Sequence, residues 1–268
     1  MWLVFVVPTS NANNFNDFAV HRLLIFADDT HYWWDQMPEP KHFMMIPNAE
    51  HSLISGILEA VPAIGAWITA LLERQHIPKF TWDISETTGD ITVTLDATSV
   101  VHSATMWYAS SCGENVWDNN TKRRDFRIAH LDNPCTCGPY VAGYCVNLKT
   151  FWKKQELTMT TVNGKRTYTA HQDTPTDGTW TAFFVDLKFK TKYHDEENTF
   201  DLATIRKSII HDDSTETVAA KLHKVFPDFG GFPHDFAGFF EFTTEVSVWP
   251  NTFPYPDCTG AACGSRIL

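Results

Sequence analysis

The hydrophobic pattern changes character near residue 78. Before that point apolar residues come in unbroken runs. Arg22-Leu-Leu-Ile-Phe26 and Lys41-His-Phe-Met-Met-Ile46 are continuous and bounded by polar residues, and both have the length of buried parallel strands. Leu53, Ile57, Leu58, Val61, Ile64, Ile68, Leu71 and Leu72 then recur at helical spacing. That spacing predicts a long helix from about Ser52 to Arg74, kinked at Pro62. Only Glu59 is charged between Leu53 and Leu72, so a membrane span is the rival reading. Glu59, Pro62 and the small polar residues favour a helix packed on a sheet. At the start, an apolar run from Met1 to Val7 gives way to Asn-rich sequence, which reads as a strand followed by a loop.

After Pro78 the runs shorten and begin to alternate. Lys79–Ile84, Asp90–Leu95, Ala104–Ala109, Arg124–Ile128 and Trp180–Phe189 are each strand-like, with Gly, Asn and Asp between them. Asn163-Gly164 marks a hairpin turn. Glu241–Trp249 reads as a final strand. This is the texture of an Ig-like β-sandwich. It gives a first unit at 1–77 and a β-sandwich-like domain at 78–268. The latter is interrupted by an insertion at about 193–235, whose residues Thr217–Phe226 read as helical and which holds His194, His211, His223 and His234 beside several acids. No ligand spacing emerges there, so it reads as solvated.

Composition narrows the partners. Hydrophobic residues make up 43% and charged residues 20%, ordinary for a chain with a core. Aromatics reach 14%, with 20 Phe and 10 Trp, so large rings should fill that core. The formal net charge of −11 repels phosphate backbones and anionic lipid. Nucleic acid is therefore excluded as a partner, and Lys122-Arg123-Arg124, followed by Asp125, reads as a solvated turn or strand edge. No cofactor or metal motif is present.

The six cysteines are Cys112, Cys135, Cys137, Cys145, Cys258 and Cys263. Cys258 and Cys263 bracket a short loop, which suits a local disulfide. The other four allow three pairings that sequence does not choose among. A thiolate metal site on Cys135, Cys137 and Cys145 is the rival, disfavoured because one residue separates the first two. Asn119-Asn120-Thr121 is an N-glycosylation sequon, which agrees with an oxidising, extracellular compartment. Met1–Val7 makes a poor leader, so an unusual export route or an upstream start is expected.

The chemistry suggested by the first unit is that of a hydrolase. A strand, an acidic loop, a second strand, a His-bearing turn (Pro47-Asn-Ala-Glu-His51-Ser52) and a long helix follow in the order of the end of an α/β-hydrolase. In that chemistry a His takes the proton of a Ser nucleophile and an acid fixes the imidazole. His51 stands where the base belongs, and the commoner role for such a His is a cap or packed surface residue.

Ordered blocks carry a resemblance. Asp28-Asp29-Thr30-His31-Tyr32-Trp33-Trp34-Asp35, Pro38–Phe43, Pro47–Leu53, Arg123–Arg127, Asp132–Cys137 and Val248–Cys258 together resemble the PhoPQ-activated pathogenicity-related family, over roughly residues 28–190 and 239–263. The resemblance implies an α/β-hydrolase-like domain followed by a β-domain, secretion in several members, and a eukaryotic branch tied to repression of proliferation. Three departures matter. No Gly-x-Ser-x-Gly occurs in the chain. The family's earlier half, where the nucleophile belongs, is not in it. Where the family carries a Gly-Asp-like pair this chain has His21-Arg22, leaving Asp28 as the substitute acid.

The favoured expectation is thus an exported protein, non-catalytic as written, acting by signalling or interaction with a cell-surface receptor or other protein. A fragment of a serine hydrolase, with His51 and Asp28 as relics of a triad, is the alternative. A β-sandwich adhesion or carbohydrate-binding module is a third reading.

Overall fold

The computed structural model describes residues 2–8, 18–24, 30, 34–37, 39, 41–49, 56–112, 124–130, 137–194 and 238–252, the first two stretches by backbone alone. It is built largely of β-strands, with one α-helix among the described residues. The strands are β1 (Trp2–Pro8), β2 (Phe18–Leu24), β3 (His42–Ile46), β4 (Phe80–Ile84), β5 (Ile91–Leu95), β6 (Val101–Ser110), β7 (Ala129–His130), β8 (Tyr140–Val141), β9 (Tyr144–Val146), β10 (Lys153–Glu156), β11 (Thr160–Val162), β12 (Lys165–Ala170), β13 (Thr181–Lys190), β14 (Phe239–Thr243) and β15 (Ser247–Trp249). The helix, α1, spans Ile57–Leu72. It runs continuously through Pro62. No helix among the described residues is long and apolar enough to cross a membrane.

Four sheets are formed among the described residues. The first has the order β2-β1-β3, with β1 antiparallel to both neighbours. The two apolar runs expected to be parallel strands are therefore separated by the chain's first strand. The second sheet runs β10-β6-β13-β14, and β15 continues the β14 side of β13. The third runs β11-β12-β5-β4, and a small fourth runs β7-β9-β8.

β13 explains why its segment reads as an almost unbroken apolar run. Successive strand residues point to opposite faces, and this strand is covered on both. Phe183, Val185, Leu187 and Phe189 meet Ile91, Val93, Leu95, Tyr168 and Ala170 of the third sheet. Ala182 and Phe184 meet Trp34, Phe43, Met45 and Trp152 on the opposite side. The second and third sheets thus pack face to face. Helix α1 also enters their shared core through Ala66, Trp67 and Ala70. Its other half joins Met44, Ile46 and Ala49 through Ala60 and Ala63.

Several local outcomes follow from side-chain chemistry. The hairpin between β11 and β12 turns at Asn163 and Gly164, both at positive φ (51° and 74°), as a type I′ turn requires. The strand expected at Arg124–Ile128 begins only at Ala129, because the Asp125 carboxylate receives the backbone N–H and guanidinium of Arg127 and holds the chain in a local turn. The final strand expected over Glu241–Trp249 is broken at Thr244, whose hydroxyl oxygen accepts the Val185 N–H at 3.0 Å and donates to Glu245 O. The expected helix at Thr217–Phe226 and most of the insertion lie outside the described residues. Cys112 and Cys137 form a disulfide with Cα atoms 5.8 Å apart, and Cys145 is also disulfide-bonded. This removes Cys137 from the thiolate metal reading.

Asn48 joins the first sheet to the second. Its φ of 56° is one that Asn tolerates better than most residues. Its Nδ2 donates to Trp152 O at 2.9 Å and its Oδ1 accepts the Trp152 N–H at 2.8 Å. Asn48→Ala is expected to lower unfolding stability by about 2–3 kcal/mol, from two lost bonds and a strained φ. Asn48→Gly should cost less, since only the bonds are lost. Chemical denaturation of the three proteins checks this order.

Candidate functional site

Two features stand out: an open cleft and a buried group of carboxyls. The cleft has a volume of about 1550 Å³ and lies between the β3 region and the β4–β5 side of the third sheet. A short 3-10 turn at Trp34–Gln36 forms one wall. The Trp34 ring lies 5.5 Å from Phe43 and 5.5 Å from Trp82, and Phe80 continues the aromatic surface 5.6 Å from Trp82. Trp82 Nε1 donates to Glu245 Oε2 at 3.2 Å, which fixes the indole. Lys41 Nζ sits 4.5 Å over the Trp34 ring and donates to Trp34 O at 2.7 Å, a cation–π contact reinforced by a charged hydrogen bond.

Charge on the cleft walls is mixed. Lys79, Lys165 and Arg166 come from the third sheet, and Asp35 and Glu39 from the opposite wall. Arg166 is spoken for, since its Nη2 donates to the carbonyls of Asp96, Ala97 and Ser99. His42 also lines the cleft, stacked on Phe242 at 4.7 Å. Burial lowers its pKa to about 4, against a raising effect of Glu39 and with help from Lys79. The ring is therefore neutral at physiological pH and presents a polar but uncharged edge. β4 is the outermost strand of its sheet, and residues 75–82 line the cleft without a gap.

The second feature lies where α1 meets the second sheet. Carboxyl oxygens of Glu59 on α1, Asp186 on β13 and Glu241 on β14 lie within 4.8 Å of one another. β13–β14 register pairs Lys188 with Glu241, and Lys188 Nζ is 3.0 Å from Glu241 Oε1. Asp186 and Glu241 are buried, and Glu59 is half-buried. Burial pushes the Glu59 carboxyl up to about 9, with the charges of Glu241 and Asp186 adding to it. The same two causes, burial and Glu241, drive Asp186 well above the carboxylate range. For Lys188 burial pulls downward, and the Glu241 and Asp186 charges outweigh it and hold the ammonium above its usual range.

The residues singled out from sequence fall elsewhere. His51, Asp28, Asn119, Cys258 and Cys263 all lie outside the described residues. The structure brings together instead three acids that carry no motif. Glu59 did leave a trace, as the one charge in an apolar helix. Asp186 and Lys188 left another, as charges inside an apolar strand. Nothing in sequence connected them.

Residues 20–127 match the family model described as "PhoPQ-activated pathogenicity-related protein". Over those residues the chain is similar to that family. Among curated proteins it is similar to "Autocrine proliferation repressor protein A" of Dictyostelium discoideum, 25% identical over 246 residues. That match covers 88% of this chain and 38% of the Dictyostelium protein, so the chain spans well under half of its relative's length. No solved structure matches. The PhoPQ-related match includes β3, α1 and β4–β6. It thus takes in Glu59, His42 and most of the aromatic wall of the cleft.

Proposed function

We propose that this PhoPQ-related chain is an exported interaction protein that captures an extended segment of a partner protein in its cleft. The observation that carries the reading is the pairing of an aromatic wall (Trp34, Phe80, Trp82) with an outermost strand, β4, along one open cleft. An outermost strand offers backbone donors and acceptors to an added strand, and neighbouring pockets take its alternate side chains. Mixed charge at the rim suits a polypeptide better than a nucleic acid. The disulfide at Cys112–Cys137 supports an oxidising compartment, and the relative's name associates that protein with repression of proliferation. The division into an α/β-hydrolase-like portion at 1–77 and an Ig-like sandwich at 78–268 belongs to the same proposal.

Purified chain added to growing cells of its own source should bind their surface saturably and slow division. Lys79 and Lys165 are exposed on the cleft rim, so reversing both, Lys79→Glu with Lys165→Glu, should leave the fold intact. It is expected to weaken binding by about tenfold, the worth of two rim charges. Equal binding by the variant would remove the cleft from the reading.

A second reading, the hydrolase fragment, is favoured by the order of β3 and then α1, with His51 between them in the sequence. It predicts that a longer product is labelled by an active-site serine probe while this chain is not. Ester turnover by this chain alone, lost on His51→Ala, would overturn the non-catalytic reading.

A further inference from the structure

We propose that Glu59, Asp186 and Glu241 form a binding site for a divalent, oxygen-preferring cation of calcium size. The three side chains come from three separate elements, α1, β13 and β14, and converge with their oxygens within 4.8 Å of one another. Carboxylates around a calcium ion bind at about 2.4 Å and so stand up to about 4.8 Å apart, whereas magnesium, at about 2.1 Å, requires a tighter set. Oxygens no more than 4.8 Å apart fall within the calcium limit, and magnesium holds on to more of its waters than a largely buried, all-protein site admits.

Hydrogen bonding gives the second line of support. Asp186 is only 5% exposed, yet its Oδ1 has no hydrogen-bond partner. Its Oδ2 takes only the Trp107 indole N–H, at 3.5 Å. A buried oxygen without a donor is costly, and its carboxyl is one of the three that converge. Glu241 Oε1, likewise buried, has the Lys188 ammonium 3.0 Å away as its charged neighbour. A cation supplies what Asp186 Oδ1 lacks.

Charge fixes the valence. Three ionised carboxylates and the Lys188 ammonium sum to −2, which a divalent ion neutralises and a monovalent one does not. Ligands of oxygen alone, with no sulfur or imidazole, select hard ions over zinc or copper. Glu59 is the member with solvent exposure, so the ion and its remaining waters reach the site along the flank of α1. Binding would clamp the helix to β13 and β14.

The test is calorimetric and thermal, on the whole chain stripped with a chelator. Calcium at about 1 mM, in excess of its dissociation constant, should raise the melting temperature by about 5 °C. Magnesium at the same concentration should produce a smaller shift. Glu59→Gln, at the solvent edge, should weaken calcium binding at least about tenfold while preserving the fold. Lys188→Met, which removes the competing cation, should strengthen it. The last variant protects the test from a folding artefact, since a merely damaged protein does not gain affinity. Absence of both heat and thermal shift in the unsubstituted chain overturns the site, as does a Glu59→Gln variant that binds as the parent does. A magnesium response as large as that of calcium overturns the size assignment.

Discussion

Phe184→Ala is expected to lower the unfolding free energy by about 3–5 kcal/mol, the cost of removing a fully enclosed aromatic ring that the surroundings only partly refill. Phe184 is fully buried, and its ring lies 5.1 Å from that of Trp152. It stands on the face of β13 that holds the first sheet and the Trp34 turn against the second sheet. The loss should therefore be felt through the cleft wall as well as in the core. Urea unfolding followed by tryptophan fluorescence measures it. Val162→Ala in β11, where the side chain is 53% exposed, is the control and should change stability by less than about 0.5 kcal/mol. A Phe184→Ala loss as small as that of the control would mean that the two layers are not joined through this ring.

Lys188→Met carries the second large effect. In metal-free buffer at pH 7.5 it should cost about 2–3 kcal/mol. That is the low side of what removing one member of a buried pair costs, since the lysine side chain is 37% exposed and its charge partly screened. Glu241, whose side chain is 7% exposed, is left with its charge uncompensated. The loss should shrink at pH 5, where the cluster takes up a proton in place of the missing ammonium. The unsubstituted protein has its own slope. Glu59, raised by burial to about 9, and Asp186, raised in the same direction, both hold protons in the folded chain at pH values where the unfolded chain releases them. Their contribution is fully present below the unfolded carboxyl range and is lost as pH rises toward about 9 for Glu59. Lys188, raised above its usual value, contributes throughout this window and only declines in strong alkali. Denaturation curves at pH 5 and pH 7.5 for parent and variant decide the matter. A Lys188→Met deficit that grows at the lower pH would contradict this account.

Much of the architecture was legible because it rests on local rules. The alternation in Ile91–Leu95, the Asn163-Gly164 turn and the apolar stripe of α1 each fix an element without reference to the rest of the chain. Errors arose where a side chain competes with the backbone. Asp125 and Thr244 each use a side-chain oxygen to end a stretch that its neighbours would extend. Lys153–Glu156 was missed for another reason. Its sequence, Lys-Lys-Gln-Glu, is polar on both faces because β10 is the outermost strand and all four residues are exposed. The carboxyl cluster was illegible as a unit. Its members are separated by more than a hundred residues between α1 and β13, and only strand register and helix docking bring them together.

The interior shared by α1 and the two facing sheets has a consequence for dissection of the molecule. Trp67 and its alanine neighbours are as much part of the sandwich filling as Ile91 or Phe183. Excising everything ahead of Pro78 would strip that filling away and bare the flank of β14. The β-rich portion is thus no portable cassette: it travels with its helix or arrives incomplete.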